Sequence, residues 1–231
     1  MPVNQKTEDP ASSDDVENGP ETSRVDEVYH QILLRIVRGE IRGGEKLKST
    51  ELAQSLGLSR TPVVQALQRL ASDGIVTLEV NKRAVVRPGA ENWLVEIHQM
   101  RELLEPHAAD LAAERITDEE LANLKALAED ARPGIKKDWT EAAQRFDYAL
   151  HLAIAGACGN LALCEAIKKC WSFKRISYEA GGDSPEAVAR GFNEHMAILE
   201  ALLKRDRRTA SVAMLFHLRA AAAYRPAATI V

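Results

Sequence analysis

The amino-acid sequence predicts a mostly α-helical protein, in which a winged helix-turn-helix is followed by an all-α bundle of six helices. Three observations support this fold class. Apolar residues recur at helical spacing along most of the 231 residues. The two segments with strand character lie close together, within residues 75–88. Aromatic residues make up only 5% of the chain, whereas Ala and Leu are abundant, and this composition favours helices.

The chain begins with a polar, acidic segment, residues 1–22. We expect it to be a disordered tail, because its few apolar side chains cannot offset the entropy lost on folding. A helix follows, VDEVYHQILLRIVRGE, whose apolar stripe is expected to support the next two helices. The stripe consists of Val25, Val28, Ile32, Leu33, Ile36 and Val37.

Residues 49–70, STELAQSLGLSRTPVVQALQRL, have the pattern of a helix-turn-helix. A tight turn at Gly57 joins two short helices, and the second begins after Ser59, a favourable N-cap residue. The apolar side chains expected to be buried are Leu52, Ala53, Leu56, Val63, Ala66, Leu67 and Leu70. The N-terminal residues of such a second helix face base edges in the major groove. We therefore predict DNA contacts from Ser59, Arg60, Thr61 and Gln65.

Two β-rich segments follow the helix pair, IVTLEV (75–80) and AVVRP (84–88), and they predict a hairpin, or wing. Its tip is basic, so we expect Lys82 and Arg83 to contact phosphate or an adjacent groove, with Lys48 as a further phosphate contact. The chain has a net charge of −4, but residues 24–88 carry eleven Lys or Arg against seven acidic residues. This segregation of charge favours a DNA-binding domain over residues 23–88.

Pro88 and Gly89 predict a hinge, after which residues 89–231 form the second domain. Six helices are expected there, at about 90–115, 118–131, 137–157, 161–179, 184–204 and 207–224. Cys158, Cys164 and Cys170 are odd in number, which favours reduced thiols over a disulfide framework. No apolar segment approaches the roughly 18 residues that span a bilayer, and the polar N-terminus is unlike a signal peptide. We expect a cytoplasmic protein, associated with the nucleoid when bound to DNA.

Four of the six bundle helices place ionisable residues within an apolar stripe. Arg101 interrupts the stripe of the first helix, and Asp147 and His151, four residues apart, share a face of the third. His195 and His217 lie on the apolar faces of the fifth and sixth. Each residue alone could be a paired core residue, whereas three His and one Asp together could ligate a divalent ion. His30, His98 and His107 lie off this pattern and are predicted to be structural.

The predicted metal site has a charge that indicates its ligand. A divalent ion, the Asp147 carboxylate and the Arg101 guanidinium give a net charge of about +2. Such a pocket favours an anion, and an organic carboxylate could ligate the metal while accepting hydrogen bonds from Arg101.

These segments resemble a known family. Residues 24–88 are similar to the winged helix of the GntR family of bacterial transcription regulators, most plainly in LGLSRTPVVQALQRL and the wing. Residues 90–231 resemble the ligand-binding FCD domain of the FadR branch, in RELLEPHAA, FDYALHLAIAGACGN, EHMAILEAL and the late His217. The six bundle helices resemble the VanR-like subgroup. In this family the equivalents of Asp147 and the three inward His bind a metal, often zinc or nickel, and the equivalent of Arg101 holds a carboxylate effector.

The resemblance implies a DNA-binding transcription regulator rather than an enzyme. We expect a repressor that acts as a homodimer on a pseudo-palindromic double-stranded operator, because one such helix reads only a half-site. Its operator affinity would change when a small carboxylate binds at the metal site. Family members commonly have Arg at the positions of Thr50 and Val64 and Gly at the position of Arg83, so the operator sequence stays open.

Three other functions fit the same residues. The protein could be a metal sensor without an organic effector, or the ion could be purely structural. A metallohydrolase is the third possibility, with Glu194 beside His195 activating a water molecule. If no ion binds, the inward histidines are ordinary core residues.

Overall fold

The computed structural model describes residues 24–79, 83–179 and 183–223. The predicted tail (1–22), the wing residue Lys82 and the bundle residue Tyr224 lie outside these ranges. The helices are α1 (Arg24–Val37), α2 (Ser49–Leu56), α3 (Arg60–Ser72), α4 (Trp93–Arg115), α5 (Asp118–Asp130), α6 (Trp139–Ala157), α7 (Leu161–Glu179), α8 (Pro185–Leu203) and α9 (Arg207–Ala223). The strands are β1 (Lys46–Leu47), β2 (Val76–Leu78) and β3 (Ala84–Val86). The mostly α-helical class with a winged helix-turn-helix is confirmed.

The helix-turn-helix forms where the sequence predicts it. Gly57 ends α2 in the left-handed conformation (φ 65°), which glycine adopts without steric cost. Ser59 is the N-cap residue of α3, although its side chain makes no capping hydrogen bond with the described residues. The apolar side chains of α1 and α3 form one buried cluster, and Leu56 of α2 is only half-buried at its edge.

The wing has three strands rather than the two predicted. β2 and β3 form the expected antiparallel hairpin, with Leu78 opposite Ala84, and β1 pairs with the other edge of β3. The segment before β1 packs closely on the wing, since a Cβ atom at Gly43 would lie 2.9 Å from the Cα atom of Pro88. Strand β1 therefore ties the start of α2 to the wing.

Helices α4 to α9 form the bundle, and α4 packs against α6, α7 and α9. Two of these helices begin at side-chain caps: Thr117 and Glu120 form a capping box at α5, and the Ser184 hydroxyl accepts from the Ala187 amide at α8. The predicted first bundle helix begins three residues late, because Ala90–Asn92 form a 3-10 turn. Within the described ranges, every helix is too short or too polar to cross a membrane.

The apolar core of the N-terminal head (residues 24–88) continues into the bundle. Cys170, Phe173 and Ile176 on α7 belong to the same buried cluster as the side chains of α1 and α3. The cluster is bordered by an ion pair, in which the Lys169 ammonium donates to Asp73 Oδ1 over 2.5 Å. Helix α7 is thus packed against the head, a contact that the predicted hinge at residues 88 and 89 does not suggest.

Candidate functional site

One face of the N-terminal head carries most of the predicted DNA contacts. Ser59, Arg60, Thr61 and Gln65 are all exposed on the first two turns of α3. Arg60 also lines a groove between α3 and the wing, together with Lys48 and Arg83. Lys48 is paired with Glu51 at 2.6 Å in a solvent-exposed contact. Three of the seven predicted contacts therefore share this groove, three more are exposed at or near the start of α3, and Lys82 lies outside the described residues.

The same groove is also lined by Thr50 and Val64, two of the positions that depart from the family pattern. The wing adds Leu78, which is 47% exposed, and α3 adds Gln68. Apolar and amide side chains are suited to contact base edges, and the neighbouring cations are suited to contact phosphates. Gln68 is therefore a further candidate DNA contact.

The four predicted metal ligands converge in the bundle. Asp147 and His151 on α6, His195 on α8 and His217 on α9 each offer one ligand atom, and these atoms lie within 4.8 Å of one another. The His195 Nε2 atom is 3.0 Å from His217 Nε2 and 3.4 Å from His151 Nε2. Asp147 Oδ1 lies 3.2 Å from His195 Nε2 and 3.3 Å from His151 Nε2.

These residues fit a divalent cation. Two ligand atoms that each lie about 2.0–2.1 Å from one ion are roughly 3.0–3.4 Å apart, depending on the coordination geometry. Four of the six spacings among the histidine nitrogens and Asp147 Oδ1 fall in that range, at 3.0–3.4 Å, and all four ligand atoms lie within 4.8 Å of one another. Imidazole nitrogens facing each other at 3.0 Å also need a cation or a proton between them, because their lone pairs repel.

A buried carboxylate that the sequence analysis did not identify supports the cluster. Glu105 on α4 is 1% exposed and is hydrogen-bonded through Oε2 to His151 Nδ1. Its other oxygen, Oε1, accepts from Arg101 Nε at 2.6 Å and from Trp171 Nε1 at 3.0 Å. Arg101 and Glu105 are four residues apart on one helix face, and this spacing was the available signal.

A second carboxylate, Glu194 on α8, accepts a hydrogen bond from His217 Nδ1 at 2.9 Å. His151 and His217 thus both turn Nε2 toward the centre of the cluster while a Glu side chain holds Nδ1. Carboxylate partners of this kind orient imidazole ligands and raise their basicity. His98, which was predicted to be structural, lies nearby and hydrogen-bonds the Leu218 carbonyl through Nε2 at 2.7 Å.

Burial and neighbouring charges act in opposite directions on the carboxylates. Burial alone would raise the pKa of Glu105, but Arg101 and His151 outweigh it and lower this pKa to about 2. The same competition holds the pKa of Asp147 well below its usual range, because His195 and His151 favour its charged form. Both side chains are therefore ionised at neutral pH.

Burial also favours the neutral forms of His151 and His217. It lowers the pKa of His151, and Glu105 offsets only part of the effect. Burial lowers the pKa of His217 still further, and the adjacent His195 and His151 act in the same direction. Neutral imidazoles have the lone pair that a metal ion requires.

A cavity opens from the cluster toward α7 and α8. Its charged lining consists of Arg101, Asp147, Lys174, Asp183, Arg190 and Glu194. Apolar contacts come from residues such as Val188 and Phe192. The Arg101 side chain, predicted to bind an effector, does reach this cavity, and its guanidinium also lies over the Trp171 ring at 4.2 Å.

The charge predicted for this pocket requires a correction. The prediction of about +2 counted Arg101 and Asp147 but not Glu105, which offsets Arg101. The described charged residues of the cavity and Glu105 comprise three cations and four carboxylates, a net −1. A divalent ion would make the site positive by about one charge. The site is therefore suited to an anion only when a cation occupies the cluster.

Comparisons with known proteins agree on both halves of the chain. Residues 24–86 match the family of bacterial regulatory proteins, gntR family, and residues 96–220 match the FCD domain. The Nta operon transcriptional regulator of Aminobacter aminovorans is 30% identical over 151 residues, covering 60% of this chain and 70% of that protein. The HTH-type transcriptional regulator McbR of Escherichia coli is 28% identical over 183 residues, covering 78% and 81%.

Solved structures give the same result. E. coli McbR/YncC aligns with a TM-score of 0.59 and 26% identity over 86% of this chain and 94% of that chain. A GntR regulator from Rhodococcus sp. RHA1 aligns with a TM-score of 0.56 at 23% identity, over 87% of this chain and 97% of that chain. The second similarity shows the fold alone.

Proposed function

We propose that this chain, which belongs to the GntR family of bacterial regulatory proteins and carries an FCD domain, is a homodimeric repressor controlled by a small carboxylate at a metal site. That it is a DNA-binding transcription regulator follows from both family matches and from its relatives, which are regulators rather than enzymes. These matches exclude the metallohydrolase hypothesis. Glu194, the candidate general base of that hypothesis, accepts a hydrogen bond from His217 Nδ1.

The observation that carries the proposal is the convergence of Asp147, His151, His195 and His217 beside a cavity lined by Arg101. A divalent ion such as zinc or nickel, when bound there, supplies positive charge and a position for an effector oxygen. The protein's own residues orient the ligands and exclude water, since the three histidines are at most 6% exposed.

A carboxylate effector is favoured by the cations that surround the cavity. Lys174 on α7 and Arg190 on α8 line it together with the apolar Val188 and Phe192. A small acid with a short apolar part would place its carboxylate toward the histidine cluster and Arg101. Because the site is negative without a cation, effector binding is expected to depend on the metal.

On the DNA side, Arg60 and Thr61 read base edges while Ser59, Lys48 and the wing contact phosphate or an adjacent groove. One α3 helix covers only a half-site, and this geometry supports two copies on a pseudo-palindromic operator. Phosphate contacts make the affinity strongly salt-dependent.

A metal sensor without an organic effector is the second candidate, and one observation favours it. Four protein ligands would saturate a tetrahedral zinc ion, whereas an octahedral ion such as nickel would keep two open positions. In a sensor, operator affinity follows metal concentration and does not respond to organic acids.

The experiment that tests the proposal is fluorescence anisotropy with a labelled operator fragment, selected by the protein from random duplexes. Operator affinity is measured for metal-free and metal-loaded protein, with and without a panel of hydroxy acids, sugar acids and dicarboxylates. We expect at least one acid to weaken binding only in the metal-loaded protein. His195→Ala should abolish the response, and His107→Ala, an exposed histidine on α4, should retain it.

A response of His195→Ala equal to that of the wild type would contradict the proposal. A change caused by metal alone, with no effect of any acid, would support the sensor.

A further inference from the structure

The buried Glu105 carboxylate connects three helices. Its Oε1 atom receives two hydrogen bonds, from Arg101 Nε on α4 (2.6 Å) and from Trp171 Nε1 on α7 (3.0 Å). Its Oε2 atom is hydrogen-bonded to His151 Nδ1 on α6. Both Glu105 and His151 are 1% exposed, so water does not compete freely for these contacts.

We propose that Glu105 is the positioning residue that fixes the tautomer of His151, so that Nδ1 carries the proton and Nε2 presents a lone pair to the metal site. This inference deepens the proposed metal site and rests on it only for the expected change in metal affinity. The protonated nitrogen of His151 is a property of the metal-free protein.

The position of one proton on the His151 ring decides which nitrogen can ligate the metal. A neutral imidazole has one N–H and one lone pair, and the nitrogen that faces an ionised carboxylate takes the proton. Glu105 faces Nδ1, whereas Nε2 faces His195 Nε2 at 3.4 Å and Asp147 Oδ1 at 3.3 Å. His151 Nδ1 is hydrogen-bonded to Glu105 Oε2, whereas Asp147 Oδ1 contacts Nε2 only as an ion pair, and this difference places the proton on Nδ1.

The two hydrogen-bond donors to Glu105 Oε1 fix how a glutamine at this position must orient its amide group, so Glu105→Gln tests the tautomer of His151. In Glu105→Gln, the amide oxygen must occupy the Oε1 position, because Arg101 Nε and Trp171 Nε1 both donate there. The amide NH₂ group must then face His151 Nδ1, and it can only donate. His151 is thereby forced into the other tautomer, with its proton on Nε2 and no lone pair toward the cluster.

Glu194 provides a matched control. It accepts from His217 Nδ1 through Oε2, but its Oε1 atom lies 4.0 Å from Arg190 Nε, beyond hydrogen-bond distance. A glutamine at this position can turn its oxygen toward His217 Nδ1, so His217 keeps its tautomer. Glu105→Gln and Glu194→Gln each remove one negative charge beside the cluster, but only the first is expected to reverse a tautomer.

The test is nitrogen-15 NMR of histidine-labelled, EDTA-treated full-length protein, since two-bond couplings distinguish Nδ1–H from Nε2–H. The His151 signals are assigned by their loss in His151→Gln. We expect Nδ1–H for His151 in the wild type and in Glu194→Gln, and Nε2–H in Glu105→Gln. Competition with a chromophoric chelator should show zinc and nickel affinity falling about 10- to 100-fold in Glu105→Gln, and only a few-fold in Glu194→Gln.

An Nε2–H tautomer for His151 in the wild type would overturn the proposal, even if Glu105→Gln does not fold. So would unchanged metal affinity in a folded Glu105→Gln. If the wild type binds neither zinc nor nickel, the proposed metal site fails, while the tautomers of the metal-free protein still decide the role of Glu105.

Discussion

At the scale of single residues, each buried charged side chain in the bundle needs a hydrogen-bonding or oppositely charged partner. Arg101 could be identified from the sequence because it interrupts an apolar stripe. From the sequence alone, Glu105 would be expected to be exposed, as most glutamates are. The missed signal is that it lies on the same helix face as Arg101. Its other partners, His151 and Trp171, come from α6 and α7, and periodicity within one helix carries no information about such contacts.

Replacing Glu105 by Ala should strongly destabilise the protein. Arg101 and Glu105 are 2% and 1% exposed, so the substitution leaves a buried guanidinium without its carboxylate partner. Removing one member of a buried pair costs about 3–5 kcal/mol of unfolding free energy. Urea denaturation followed by circular dichroism measures this loss.

The control for this stability measurement is Glu129→Ala, which removes an exposed partner of Arg132. Exposed ion pairs contribute about 0–1 kcal/mol, so this variant should unfold near the wild-type urea concentration. Equal stability of Glu105→Ala and Glu129→Ala would show that the Arg101 charge finds another partner.

At the scale of elements, the helix-turn-helix was predictable because its signals are local. Gly57 ends α2 and Ser59 precedes α3, as the sequence indicates. Strand β1 was not predictable, because a two-residue strand has no alternation and is defined only by its pairing with β3. That pairing places Lys48 in the groove with Arg60 and Arg83.

Arg83→Ala should weaken operator binding and its salt dependence. The side chain is exposed and lines the groove beside α3, where it replaces the glycine common in the family. Loss of one phosphate contact lowers the slope of log affinity against log salt by about 1. Anisotropy titrations over a range of salt concentrations measure this slope. Arg132→Ala, on the bundle, should leave it unchanged, and the same slope for both variants would place Arg83 away from DNA.

At the scale of the whole molecule, one apolar cluster joins the N-terminal head to the bundle. The sequence predicted the two halves and a hinge between them, but not that Lys169 on α7 bonds Asp73 of the head, 96 residues away along the chain. Contacts between segments so far apart depend on the arrangement of the helices, which local patterns do not encode. Helix α7 lines the cavity with Lys174 and contacts the head with Lys169, so we propose that it is one physical connection between effector binding and operator binding.

Lys169→Ala should weaken the coupling between effector and operator. The Lys169 ammonium bonds Asp73, directly after α3, and Asp73 also accepts from the Tyr29 hydroxyl at 2.6 Å. Coupling between two sites is typically about 5- to 150-fold in affinity, and we expect the variant to lose most of it while still binding metal. The ratio of operator affinities with and without effector measures the coupling.

Lys168→Ala is the matched control, since Lys168 pairs only locally with Glu165 on the exposed side of α7. It should keep the wild-type ratio. An equal ratio in Lys169→Ala and Lys168→Ala would mean that the coupling runs through another contact.

Native mass spectrometry of the purified protein decides the claim that the inward Asp and His residues hold one divalent ion per chain. We predict a dimer that carries one zinc or nickel ion per chain. The ion should be absent from His195→Ala and His217→Ala and retained in His107→Ala. A wild-type spectrum that stays free of metal after zinc and nickel are added would contradict the claim, and the inward histidines would then be hydrogen-bonded core residues.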